Sequence, residues 1–421
     1  MIGAPTRAAA ETLEAILARG RFRGPLRLLG PGFVAAIAYV DPGNFATNVS
    51  AGARFGYALV WVIVAANLMA VLVQYLSSKL GLITGRSLPE VCRDRYPGPV
   101  RWFLWAQAEL VAIATDLAEF LGAAIALRLL FGWSAIVAAI VTAITALVML
   151  SVQQRGHRRF EVLIAGFMAI IVAAFAVLVL SVQVDAGGVL YGLRPTVPTD
   201  ALLLIVGIVG ATVMPHVVYL HSALVSDRVR PPDGRGRRTL LRYMGLDVVL
   251  AMIVAGAANL AMLVFAAAAL HGTQAAPVET LDQAHAAIGL TIGVVPAAAF
   301  AVALLASGLS SSSVGTLAGQ VIMQGFIERR IPLAVRRFVT MAPAIVILVA
   351  GVEPTIVLVL SQVILSFGIP FAIVPLVHLT SSRTVMGSFA NSRRVSVLAG
   401  VVACVVIGLN LWLLAATFMP R

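Results

Sequence analysis

An aspartate, Asp41, follows the apolar run Phe33 to Val40 and opens the tetrapeptide Asp41-Pro42-Gly43-Asn44. Insertion scales put a carboxylate at the centre of a bilayer span at ~2.5–3.5 kcal/mol, so its presence calls for a task. A second apolar run is interrupted in the same way by Met214-Pro215-His216. Proline removes a backbone donor and clashes with the preceding turn, and glycine loosens the chain further. Around the two interruptions stand the carboxylate of Asp41, the amide oxygen of Asn44 and the thioether of Met214, with unwound carbonyls near Ala38 and Ala211 as further oxygens. Oxygen donors alone suit Mg2+ or Ca2+, whereas a thioether favours softer ions such as Mn2+, Fe2+, Co2+ or Cd2+. In a soluble loop the same residues would read as a capped turn, and a lone methionine as packing filler. Two matching interruptions inside apolar runs reverse that reading.

A third group is a row of carboxylates, Glu109, Asp116 and Glu119, within another apolar run. A spacing of three puts Asp116 and Glu119 on one helix face, and Glu109 lies two turns back along nearly the same face. Such a row reads as a proton route or a wet cavity, with pairing to arginines purely for assembly as the alternative. His221 lies roughly 140° round an ideal helix from His216, so the two cannot both point into one site, and His221 reads as structural. His157, His271, His285 and His378 are isolated. Asp247 and Asn259 are polar intrusions in a later run, candidates for lining an exit.

The elements that must carry these groups follow from composition. The 421 residues are 60% hydrophobic and 11% charged, with a mean hydropathy of +0.99; soluble domains carry roughly 25% charged residues. Apolar runs of about 20 residues recur, each able to cross a ~30 Å hydrocarbon core as a helix. Barrel strands would instead alternate in short segments. An all-α polytopic membrane protein is predicted, with eleven spans near 28–52, 58–83, 102–130, 133–152, 161–184, 200–225, 243–270, 293–325, 334–351, 354–379 and 395–418. The first and sixth are discontinuous. Broken helices at matching places in two five-span halves point to inverted repeats, here 28–184 and 200–379, with 395–418 as an extra helix and 1–27 as a cytoplasmic tail. The whole of 28–418 is one membrane domain.

The net charge of +12 belongs to topology. Of the 30 basic residues, 26 fall on alternate connecting segments, among them Arg155, Arg158 and Arg159 as anchors. The positive-inside rule then places the N-terminus in the cytoplasm and the C-terminus outside the cell membrane. Nucleic acid is not an expected partner; the lipid bilayer is. Cys92 and Cys404 are too few for a disulfide framework or a thiolate metal site. No cleavable signal peptide is visible.

The stretch Asp41-Pro42-Gly43-Asn44 and the later Gly210-Ala211-Thr212-Val213-Met214-Pro215-His216, continuing through Tyr219-Leu220-His221-Ser222, resemble the Nramp family of proton-coupled divalent metal transporters. The resemblance extends to Ala114-Thr115-Asp116-Leu117-Ala118-Glu119-Phe120, Gly315-Thr316-Leu317-Ala318-Gly319-Gln320, Arg336-Arg337 and Ser361-Gln362. It implies a fold similar to the sodium-coupled amino-acid transporters. It implies metal coordination by Asp41, Asn44, Met214 and the Ala211 carbonyl, joined in some conformations by the Ala38 carbonyl and Gln362. Methionine at the site implies the Mn2+/Fe2+ branch. The proton route would run from Asp41 to Asp116 and on through Glu119, with Glu109 in the same row, His216 as a further titrating group and Arg337 as an electrostatic partner. Leu309 departs from the family, which commonly has a polar residue there.

The expected function is import of Mn2+ or Fe2+ with protons by alternating access. The ions are cargo; no cofactor and no obligate protein partner are expected. An intramembrane hydrolase built on Ser310–Ser313 lacks a Gly-x-Ser-x-Gly elbow and a His-Glu-x-x-His motif. An ATP-driven pump lacks a Gly-x-x-x-x-Gly-Lys loop. A sodium-coupled amino-acid carrier shares the architecture but would have no use for a soft donor beside Asp41.

Overall fold

The computed structural model describes residues 30–154, 157–226, 235–272 and 278–418. The tail expected at 1–27 lies outside the described residues, as do Arg155 and the side chains of His157, Arg158 and Arg159. Regular structure among the described residues is entirely helical. Helices α1 (Pro31–Ala38) and α2 (Pro42–Phe55) form the first span. A 3-10 turn at Gly56–Leu59 leads to α3 (Val60–Thr84), and short α4 (Leu88–Arg95) precedes α5 (Gly98–Phe131). Then come α6 (Ala135–Gln154), α7 (His157–Leu180) and the short α8 (Ala186–Tyr191). The sixth span is α9 (Leu202–Thr212) with α10 (Pro215–Ser226), followed by α11 (Arg235–Leu270), short α12 (Leu281–Thr291), α13 (Val294–Ile327), α14 (Leu333–Val349) and α15 (Pro354–Ser381). A short α16 (Arg383–Met386) leads to the last span, α17 (Arg393–Phe418). The order is a broken helix and four spans, twice over, then one more helix.

Among the described residues, eight helical stretches are long and apolar enough to cross a membrane, the first of them joining α2 to α3 as Pro42–Thr84. The apolar part of α6, Ala135–Met149, is shorter, and α14 has 17 residues. Counted with the halves of the first span, these helices account for the eleven expected. Large apolar side chains lie bare on the outer helices, for example Ile140 on α6, Phe338 on α14 and Leu411 on α17. Water would not tolerate so much exposed hydrocarbon, whereas lipid tails solvate it. The core instead holds alanines and glycines where backbones come close, most extensively along α5 and α13.

The break in the first span differs from expectation. Its non-helical residues are Tyr39, Val40 and Asp41, while Pro42, Gly43 and Asn44 form the first turn of α2. Proline is favoured at the first helical position because its missing N–H would have no partner there anyway. Asp41 is the N-cap, accepting from the Asn44 N–H at 2.7 Å. Pro215 likewise opens α10. Pro42 and Pro215 therefore start helices as much as they end them. Gly43, expected to loosen the backbone, instead permits close approach: a Cβ there would lie 1.6 Å from Gln362 Nε2.

Candidate metal site

The two breaks are brought together by cross-packing. Helix α2 lies against α9, and α1 against α10, so each half of one broken span meets the opposite half of the other. In a continuous helix the carbonyl of residue n accepts from the N–H of residue n+4. Four residues after Ala38 stands Pro42, and four after Ala211 stands Pro215, neither with an N–H to give. No hydrogen bond reaches either carbonyl among the described residues. Its neighbours are supplied from elsewhere: the Tyr39 carbonyl accepts from Asn259 Nδ2 at 2.7 Å, and that of Val40 from the Ser307 hydroxyl at 2.6 Å.

Asp41, Asn44, Met214 and Gln362 are all fully buried. One carboxylate oxygen of Asp41 is held by the α2 N-terminus, and the other accepts from Gln362 Nε2 at 3.2 Å. That leaves the Gln362 Oε1 atom with no donor. Asn44 donates Nδ2–H to Asn259 Oδ1 at 3.1 Å, which leaves Asn44 Oδ1 equally without a donor among the described residues. The region thus has more oxygen acceptors than hydrogen-bond donors. A buried acceptor left unpaired costs ~1–3 kcal/mol, and a cation is the partner that such a surplus accepts. No group of three or more His, Cys, Asp or Glu side chains is placed to hold a metal among the described residues. The candidate set is of another kind, one carboxylate with neutral oxygens and a thioether.

Helix α5 presents the carboxylate row. Asp116 and Glu119 converge on Gly315 of α13, where a Cβ would lie 3.1 Å from Asp116 Oδ1 and 2.7 Å from Glu119 Oε2. Both oxygens of Glu119 and Oδ1 of Asp116 are buried without a hydrogen-bond partner among the described residues. Glu109 has a different neighbour, Arg336 of α14, at 2.6 Å. Glu109 is thus ion-paired with Arg336, while Arg337, the expected electrostatic partner of the row, is the next residue of α14. Arg337 donates to the Ser312 carbonyl at 2.7 Å and to the hydroxyls of Ser312 and Thr316 on α13. His216 is buried with Nδ1 3.3 Å from the Thr115 hydroxyl. Thr115 also lies 2.9 Å from the Val111 carbonyl, to which its hydroxyl donates, an arrangement that suits a His216 tautomer with the proton on Nδ1. His216 Nε2 has no hydrogen-bond partner among the described residues.

His221 is braced by Gln74 Oε1 at 2.7 Å, and Gln74 also contacts the Tyr39 hydroxyl, a structural role in keeping with the expectation. Asp247 and Asn259, the candidates for lining an exit, hold backbone and side-chain groups near the first break. Asp247 caps the start of α1, accepting from Gly30 N at 3.0 Å and Gly32 N at 2.7 Å. Asn259 holds Asn44, Asn48 and the Tyr39 carbonyl together. The sequence signal for Asn259 was its isolation in an apolar helix; nothing in it named the partners.

The family model described as natural resistance-associated macrophage protein-like, Nramp, matches residues 32–416. A divalent metal cation transporter MntH of Bacillus subtilis is 51% identical over 401 residues, covering 94% of both chains. The MntH of Deinococcus radiodurans is 49% identical over 391 residues, covering 92% of this chain and 89% of its own. Among solved structures, a manganese transporter of Eremococcus coleocola superposes with a TM-score of 0.83 at 32% identity, over 95% of this chain and 89% of its own. The nucleobase-cation symporter Mhp1 shares the fold at a TM-score of 0.62 and 16% identity, over 93% of this chain and 94% of its own.

Proposed function

This chain belongs to the Nramp family, and we propose that it is a divalent metal cation transporter importing Mn2+, and Fe2+ beside it, together with protons. The relatives are named as transporters and not as enzymes. The observation that carries the reading is the acceptor surplus at the two breaks. Asp41 supplies the negative charge; Asn44 Oδ1, Gln362 Oε1 and the carbonyls of Ala38 and Ala211 supply oxygens that no donor among the described residues claims. Met214 adds the soft donor that tilts the set toward transition ions. Asp116 and Glu119, with His216, are the groups that take and pass protons, and the Glu109–Arg336 pair terminates the row.

Alternating access fits the burial of the site. All four side-chain candidates are fully buried, so an ion must wait for the broken helices to part on one side and then the other. We read 28–184 and 200–379 as the two repeats that move against each other, 395–418 as an addition, the N-terminus as cytoplasmic, and the cell membrane as the location. The test is uptake of labelled Mn2+ into proteoliposomes at two external pH values, with Fe2+, Cd2+, Mg2+ and Ca2+ competing. Transport should rise at acid external pH and yield to Fe2+ and Cd2+ before Ca2+ or Mg2+. Asp41→Asn should abolish uptake while the protein still inserts; near-normal uptake by that variant would overturn the site.

A further inference from the structure

Helix α15 carries two internal prolines, Pro370 and Pro375. Each deprives the carbonyl four residues earlier of its donor, as at the breaks. Those carbonyls belong to Ser366 and Phe371, and here the chain supplies substitutes. The Tyr219 hydroxyl of α10 donates to the Phe371 carbonyl at 3.3 Å. Asn410 of α17 donates Nδ2 to the Ser366 carbonyl at 2.9 Å and accepts the Ser366 hydroxyl proton at 2.8 Å. Because a carbonyl can only accept, the amide of Asn410 has one possible orientation.

Asn410 is the polar residue of a run that otherwise reads Val405-Val406-Ile407-Gly408-Leu409 before it and Leu411-Trp412-Leu413-Leu414 after it. It is 4% exposed, so it faces protein and not lipid. Ser366 lies one helical turn beyond Gln362, and that turn is gripped by a second helix as well. Gly210 of α9 comes so close that a Cβ would lie 1.9 Å from the Gln362 carbonyl oxygen and 2.9 Å from Ser366 N. The turn that presents Gln362 to Asp41 is therefore fixed by α9 and by α17, and α17 lies outside the repeated order of the first ten spans.

We propose that Asn410 is a positioning residue for metal binding: by closing the carbonyl that Pro370 opens, it sets the height and rotation of Gln362 against Asp41. The last helix is then a working part of the site. This rests on the reading of Gln362 as a metal ligand. A loosened turn lets the glutamine wander, which weakens ion capture while leaving the chain able to cycle.

The experiment compares Mn2+ uptake by the full-length protein in proteoliposomes for the parent, Asn410→Leu, Ser366→Ala, Gln362→Ala and the double variant Asn410→Leu/Gln362→Ala. Side-chain hydrogen bonds between membrane helices have modest individual values, so Asn410→Leu should raise the apparent KM for Mn2+ roughly 3- to 10-fold with maximal rate within about twofold. Ser366→Ala keeps the carbonyl bond and should shift KM less, and it serves where Asn410→Leu inserts poorly. In the Gln362→Ala background Asn410→Leu should add nothing. An unchanged KM in Asn410→Leu, or a full additional shift in the double variant, overturns the positioning role while the ligand reading survives. If Gln362→Ala itself leaves KM at the parent value, the ligand reading fails and the positioning role with it.

Discussion

Gly43→Ala separates the needs of the helix from those of the site. Gly43 is the second residue of α2, and inside a helix alanine is favoured over glycine by up to ~1 kcal/mol. By local preference the variant should be the more stable protein. The new Cβ, however, would lie 1.6 Å from Gln362 Nε2 and 2.3 Å from its Cδ. Ordinary contact begins at 3.4 Å, so the amide must retreat by about 1.8 Å. Gln362 now stands 3.2 Å from Asp41 Oδ2. Even a sideways retreat of that size leaves about 3.7 Å, which is no hydrogen bond.

The moving atoms are the far end of a flexible side chain, so the fold can absorb them, but the site cannot. A hydrogen bond to a charged group is worth ~1.5–3 kcal/mol, and a displaced ligand oxygen adds its own loss. The apparent KM for Mn2+ should therefore rise roughly 10- to 100-fold, with the thermal midpoint in detergent unchanged or slightly raised. Uptake kinetics in proteoliposomes and a melting curve on the same preparation measure both. A KM within twofold of the parent would refute the placement of Gln362 at the metal site. A large fall in stability would refute the claim that only the glutamine gives way.

Met214→Ala should alter selectivity more than rate. The remaining oxygens suit harder ions, so Cd2+ uptake should fall roughly tenfold, equivalent to about 1.4 kcal/mol, while millimolar Ca2+ and Mg2+ compete better against Mn2+; an unchanged order of competing ions makes Met214 packing. Asp116→Asn should flatten the pH dependence of uptake with Mn2+ affinity retained, and Gly315→Ala, whose Cβ would lie 2.7 Å from Glu119 Oε2, should disturb proton flux per metal in the same direction. Unchanged proton flux in both variants would remove the α5 carboxylates from the route.

Span number and the two discontinuities were legible in the sequence because run length and proline position are properties of one strand of text. Asp41, Asn44 and Met214 could be singled out for the same reason, each lying in a break or within three residues of one. The breaks themselves sat slightly elsewhere than expected, since an Asp-Pro pair caps and starts α2 as readily as it ends α1. What was not legible is pairing across the chain. Asn259 reaches back 215 residues to Asn44, and Asp247 the same separation to Gly32; which helices touch decides both. The Glu109–Arg336 contact is of that class, and the carboxylate row alone could not tell its ion-paired end from its unpaired one.

One rule would have carried the sequence further. A proline at residue n frees the carbonyl at n−4, and inside a membrane that carbonyl needs another partner. Applied to Pro42, Pro215, Pro370 and Pro375, it names Ala38, Ala211, Ser366 and Phe371 without any structure. The structure then sorts the four. Ser366 and Phe371 are closed by Asn410 and Tyr219, and hold the shape of α15. Ala38 and Ala211 have no donor among the described residues, and they belong to the two breaks that cross-packing brings together. We read a proline-freed carbonyl met by a side-chain donor as architecture, and one left open at a break as the proposed place for a cation. The difference between the two lies in a partner that only the packing of distant helices reveals.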